Sequence, residues 1–147
     1  KEGLLSALYE DRFTAFIQNV RGAAAYPGDH RGDLAFVLRA TLAVFIDAAL
    51  EDPDFSRLRL SVAFGPPDGA SRRLARPYLD SLYATILSTF ESAALEYGNM
   101  AGRAGAYASA FLGLADAYSG RVLSGELQPD EGFLFRSVHY FMHGIFS

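Results

Sequence analysis

The sequence contains no cysteine and no tryptophan. Without cysteine there is no disulfide framework, no thiol nucleophile and no sulfur-ligated zinc or iron–sulfur site. A cytoplasmic location fits that lack and is the one expected. Long apolar runs are missing too. The longest stretch free of Asp, Glu, Lys, Arg and His runs from Ala104 to Ala115, well short of the ~20 residues a membrane-spanning helix needs. No membrane partner is therefore expected. The N-terminus also lacks the basic start, apolar core and small-residue cleavage site of a secretory signal. Base is scarce: 13 Lys and Arg against 17 Asp and Glu leave a net charge of −4. A duplex-binding module is normally basic, because neutralising phosphates supplies most of its affinity. The densest basic patch, Arg72, Arg73 and Arg76, is flanked by Asp68 and Asp80. This segment by itself is not expected to bind nucleic acid.

What is present is 147 residues, half of them apolar, enough for one globular domain with a real core. Apolar spacing predicts an all-α fold of six helices. The first covers about Lys1 to Arg21, with Leu5, Leu8, Tyr9, Phe13, Phe16, Ile17 and Val20 on one face, and Pro27 and Gly28 after it. The second, about Arg31 to Glu51, has Asp29 or Asp33 to cap its start. It is apolar in nearly every direction, as a helix at the centre of a bundle is. The third segment, about Asp54 to Phe64, alternates Leu58, Leu60, Val62 and Phe64 with other residues at the period of a strand. A lone strand has no partner here, and Asp52-Pro53-Asp54 is a helix start, so a helix is expected. The fourth helix runs from about Ala70 to Tyr97, the fifth from Ala104 to Ser124 and the sixth from Asp130 to Phe146.

The fifth helix carries two stripes. Tyr107, Phe111, Leu114, Tyr118 and Val122 are bulky; Ala106, Ala110, Gly113, Ala117 and Gly120 are small. Glycine inside a helix costs about 1 kcal/mol relative to alanine, so the small stripe predicts close approach of another helix. The sixth helix offers Leu134, Val138, Phe141, Met142 and Ile145 as a bulky face. Together the last two helices are expected to form a four-helix-bundle dimer interface. Packing of the small stripe within the chain is the alternative.

No motif for hydrolysis or for a phosphate loop is present. His139 and His143 lie four apart on one helix face and form a possible ligand pair. With no third ligand at a companion spacing, two surface or interface histidines are the preferred reading, and neither metal nor cofactor is expected. His30, beside Asp29, is expected to be solvated. What remains is an excess of aromatic residues with a few polar companions. An apolar cleft between helices with placed polar groups is the usual form of a small-molecule site. The candidates are Phe36, Arg39, Thr41, Phe45, Phe64, Tyr78, Tyr83, Ile86, Phe90, Tyr107 and Phe111.

The opening Lys1-Glu2-Gly3-Leu4-Leu5-Ser6-Ala7-Leu8-Tyr9 resembles the linker helix of the tetracycline-repressor (TetR) family. There a Lys-(Glu/Asp)-x-Leu stretch follows the DNA-recognition helix. The stretch Phe135 to Phe146, with Gly144 near its end, is similar to the closing helix of that family, and the order of helices agrees over the whole chain. The resemblance implies that residues 1–147 are the ligand-binding and dimerisation domain of a transcriptional regulator, usually a repressor. It also implies a homodimer, a small-molecule effector and operator DNA reached only through an N-terminal helix-turn-helix domain. The first helix, about 1–21, is then the end of the linker. The chain opens at Lys1 rather than Met and is expected to be a piece of something longer. The alternative from another class is a free-standing helical metal- or cofactor-binding protein that uses His139 and His143.

Overall fold

The computed structural model describes residues 2–26 and 33–144. Pro27, Gly28, Asp29, His30 and Ile145 lie outside the described residues. Six α-helices occur in order: α1 (Glu2–Ala24), α2 (Leu34–Glu51), α3 (Pro53–Ala63), α4 (Ala70–Ala94), α5 (Ala104–Leu123) and α6 (Phe133–His143), with a short 3-10 turn, Gly98–Met100, after α4. The described residues contain no strand, so the fold is all-α.

The third segment is a helix because its buried residues are Phe55, Ser56, Arg59 and Val62. That spacing is helical, but two of the four are polar, so the apolar residues alone mimic alternation. Asp52 starts the helix by accepting a hydrogen bond from the Phe55 amide, and Pro53 opens it, a position where its missing donor is harmless. The sixth helix begins at Phe133 rather than Asp130, whose carboxylate instead accepts from the Gly132 amide at 3.1 Å and from Arg136 at 2.7 Å. Those bonds hold the Asp130 carboxyl below its ordinary range, chiefly through Arg136.

Helix α2 sits in the middle, packed by α1, α3, α5 and α6, while α4 lies across α1 and α5. Its inward side carries Leu34, Val37, Leu38, Thr41, Leu42, Phe45, Ile46 and Ala49. It is not buried all round: Phe36 and Leu50 are exposed. On α5 the residues that let helices approach within the chain are Ala108, Ala115 and Ser119, all fully buried. They lie on a different face from the small stripe.

The end of α1 is tied to α4. The Thr89 hydroxyl donates to the Ala24 carbonyl at 2.6 Å, and both residues are buried. A helix C-terminus leaves its last carbonyls without internal partners, and this one is satisfied by a side chain from another helix. Thr89→Val keeps the shape and removes the donor. It is expected to lower stability by about 1–3 kcal/mol, the cost of a buried unsatisfied group, read as a lower urea midpoint at unchanged slope.

Candidate functional site

Aromatic rings gather in two places. Between α1, α2, α3 and α4, Phe13 stacks on Tyr78 at 5.4 Å, Phe13 meets Phe55 edge-on at 5.1 Å and Phe16 meets Phe45 edge-on at 5.2 Å. A charge lies in this apolar nest. Arg59 is only 2% exposed, and its guanidinium carbon stands 5.2 Å from the Phe16 ring and 5.0 Å from the Phe45 ring. It donates to the Asp116 carboxylate of α5 at 2.5 Å. Its Nε has no hydrogen-bond partner among the described residues. Burial pushes the Asp116 carboxyl up from its ordinary range, and the charge and hydrogen bond of Arg59 pull it back only in part. The ion pair joins α3 to α5 through the centre of the molecule. Arg59 sits among the residues that alternate with Leu58, Leu60, Val62 and Phe64, and Asp116 belongs to neither stripe of the fifth helix. The usable signal was a base and an acid, each at helical spacing within its own helix's apolar face.

The second gathering joins α4, α5 and α6. Phe90, Phe111 and Phe141 meet pairwise at 5.4 to 6.1 Å, and Tyr107 lies 6.1 Å from Phe90. Beside these rings opens a cleft of about 350 Å³. Leu34 and Leu38 of α2, Phe90 of α4, Met100, Tyr107 of α5 and Phe141 of α6 line it. Asp33, Tyr97, Asn99 and His143, all exposed, bring polar groups to its edge. Apolar walls with a few polar groups suit a small, flat, largely apolar molecule, and the volume lies at the lower end of the range for ligand sites. A larger hollow of about 510 Å³ at the α1–α2–α3 corner has a different character. Asp11, Asp47 and Glu51 line it, and Asp52 there is paired with Arg12.

Of the residues expected to bind a ligand, Phe90 and Tyr107 line the cleft, and Phe111 touches Phe90 behind it. Thr41, Phe45 and Ile86 are buried core residues, and the Thr41 hydroxyl donates to the Val37 carbonyl at 2.8 Å. Tyr78 is half-buried against Phe13, and Tyr83 points its hydroxyl at the Gly105 carbonyl, 3.5 Å away. Arg39 lies over the Phe135 ring at 5.6 Å. Phe36 and Phe64 are 63% and 71% exposed and join neither ring cluster. The structure therefore does not bring these residues together into one chamber. The fourth helix ends at Ala94 rather than Tyr97, so Tyr97 leaves the helical stripe it was expected to close, and Asn99 and Met100 lie in the 3-10 turn that follows, where no apolar period marks them.

On α5, Ala106, Ala110, Gly113 and Ala117 are exposed, and a Cβ placed on Gly113 would meet nothing within 4 Å. Gly120, at the end of the stripe, packs within the chain instead: a Cβ there would lie 4.0 Å from Leu60 of α3. The exposed part of the stripe is Ala106, Ala110, Gly113 and Ala117. The bulky face expected on α6 needs correction. Val138 is 1% exposed and lies in the chain's own core, where a partner cannot reach it. Phe141 is half-buried against Phe90 and Phe111, Leu134 is half-buried, and Met142 is exposed. The large outward residues are Phe135 and Tyr140, 60% and 59% exposed, with His139 and His143 beside them.

Among the described residues no helix is long and apolar enough to cross a membrane, and no group of three or more His, Asp or Glu side chains is placed to hold a metal. No family model, no curated protein and no solved structure matches the chain.

Proposed function

We propose that the chain is the effector-binding and dimerisation domain of a TetR-type transcriptional regulator, acting as a repressor. It senses a small, largely apolar or aromatic molecule held in the cleft between α2, α4, α5 and α6. The observation that carries this is the position of the cleft relative to α1. Phe90, in its wall, follows Thr89, whose hydroxyl holds the end of α1. Tyr97, at its edge, follows Glu96, whose carboxylate accepts a hydrogen bond from Tyr26, just beyond α1, at 2.6 Å. A ligand that shifts the end of α4 therefore pulls on α1 through two hydrogen bonds.

In this proposal α1 continues into the DNA-binding head, and a second copy covers the bare stripe of α5. The heads of such a dimer must meet half-sites about 34–36 Å apart, so a tilt of α1 by a few ångströms spoils docking. The ligand moves the equilibrium only by the difference in its affinity for the two arrangements of α1.

The neutral fluorophore N-phenyl-1-naphthylamine tests the cleft. It is expected to bind saturably to the parent chain with a rise in emission. Ala35 also lines the cleft, and Ala35→Phe fills it from α2. That variant is expected to weaken binding at least tenfold, about 1.4 kcal/mol, with an unchanged circular dichroism spectrum. Equal binding by both proteins, or none by either, overturns the assignment of the cleft.

A further inference from the structure

We infer that His139 and His143 together chelate one borderline transition-metal ion, Zn²⁺, Ni²⁺ or Cu²⁺, on the outer face of α6. The inference does not rest on the regulator proposal. Both side chains are exposed and one helical turn apart, and their ring centroids lie 4.6 Å apart. The separation can be checked against coordination geometry. Imidazole nitrogens bind zinc at about 2.0–2.1 Å. Two rings radiating from one ion at angles from about 90° to 109° put their centroids roughly 4.5–5.2 Å apart. The observed ring separation of 4.6 Å falls within that range.

The Phe135 ring lies nearly parallel to His139, 9° between planes at 6.1 Å, and the Arg39 guanidinium stands 5.6 Å from the Phe135 centroid. On α6 itself the base Arg136 is paired with Asp130 at 2.7 Å. The donors are neutral nitrogens, which suit zinc, nickel and copper and not magnesium or calcium. Since no third protein ligand is near among the described residues, water fills the remaining positions, or the histidine pair of a second copy does.

The test is calorimetric titration of the chain with ZnCl₂, alongside Co²⁺ absorption to report the donor set, with MgCl₂ as the control. Saturable zinc binding at one ion per chain, or one per two chains if copies share it, is expected, with no response to magnesium. His139→Ala and His143→Ala should each weaken zinc binding at least tenfold. The sequence has a third histidine, His30, and His30→Ala should leave binding unchanged. Because His139 and His143 are exposed, their loss should not disturb folding, which the helical circular dichroism signal verifies. Three results overturn the chelate: no zinc binding, zinc binding that survives either helix substitution, or zinc binding lost on removing His30.

Discussion

Arg59→Met is expected to lower the unfolding free energy by about 3–5 kcal/mol at neutral pH, because it strands the Asp116 carboxylate in the core. Restoring charge balance should reverse this. In the double variant Arg59→Met/Asp116→Leu the stability is expected to return to the parent value or exceed it by about 1–4 kcal/mol, since an apolar replacement avoids desolvating either ion. The two outcomes separate the need for a partner from the worth of the pair. The pH dependence follows from the direction of the Asp116 shift. Burial already raises its folded-state value above that of the unfolded chain, and Arg59 is what opposes the rise. A carboxylate raised in this way is tolerated when protonated, and its contribution is lost as pH climbs from the ordinary range near 3.9 through the raised value. Without Arg59 that window extends to higher pH. Urea titrations at pH 7.5 and pH 5 should therefore show Arg59→Met recovering part of its deficit at the lower pH, while the double variant shows no such recovery. A single variant as stable as the parent at pH 7.5 would mean the side chain of Asp116 turns out to solvent when its partner is removed.

The same pair shows where sequence patterning stops being informative. Helix positions were legible wherever apolar side chains alone defined the buried face, as in α1, where Tyr9, Phe13, Phe16, Ile17 and Val20 are all buried. In α3 the buried face includes Ser56 and Arg59, so a count of apolar residues returns the wrong period. In α5 two sets of small residues exist. Ala108, Ala115 and Ser119 face inward, and Ala106, Ala110, Gly113 and Ala117 face outward. Spacing identifies each set without saying which one the chain uses for itself. In α6 aromatic rings occur on both sides, Phe133 and Phe141 inward, Phe135 and Tyr140 outward. The rotation of that helix is settled only by what α2 and α5 leave room for. The cleft was half legible. Phe90 and Tyr107 belong to periodic helices, whereas Tyr97, periodic with the fourth helix in the sequence, lies beyond its end at Ala94, and Asn99 and Met100 reach the cleft through a short 3-10 turn, a path no periodicity encodes.

Gly113→Leu is expected to convert a dimer at micromolar concentration into a monomer, and the structure makes this substitution unusually clean. A Cβ at Gly113 meets nothing within 4 Å, so the leucine finds room in the isolated chain. It also removes a glycine from a helix interior, which should stabilise the monomer by up to about 1 kcal/mol. Loss of fold is therefore not a competing explanation for loss of association. Between two chains the same side chain is obstructive. Helices that meet through alanine and glycine approach to the near end of the 8–10 Å range of axis separations, and a leucine at the centre forces them apart along the whole stripe. Ala110→Glu, one turn earlier on the same exposed face, should act in the same direction by burying an unpaired charge. Sedimentation velocity on parent and variants, together with thermal melts, distinguishes the outcomes. A dimeric parent, monomeric variants and a Gly113→Leu melting temperature at or above that of the parent chain locate the contact on α5. A Gly113→Leu protein that still sediments as a dimer places the contact elsewhere, with the outward Phe135 and Tyr140 of α6 as the surface left to carry it. A monomeric parent removes the second copy from the proposal, and with it the mechanism by which a tilt of α1 would change the spacing of two heads.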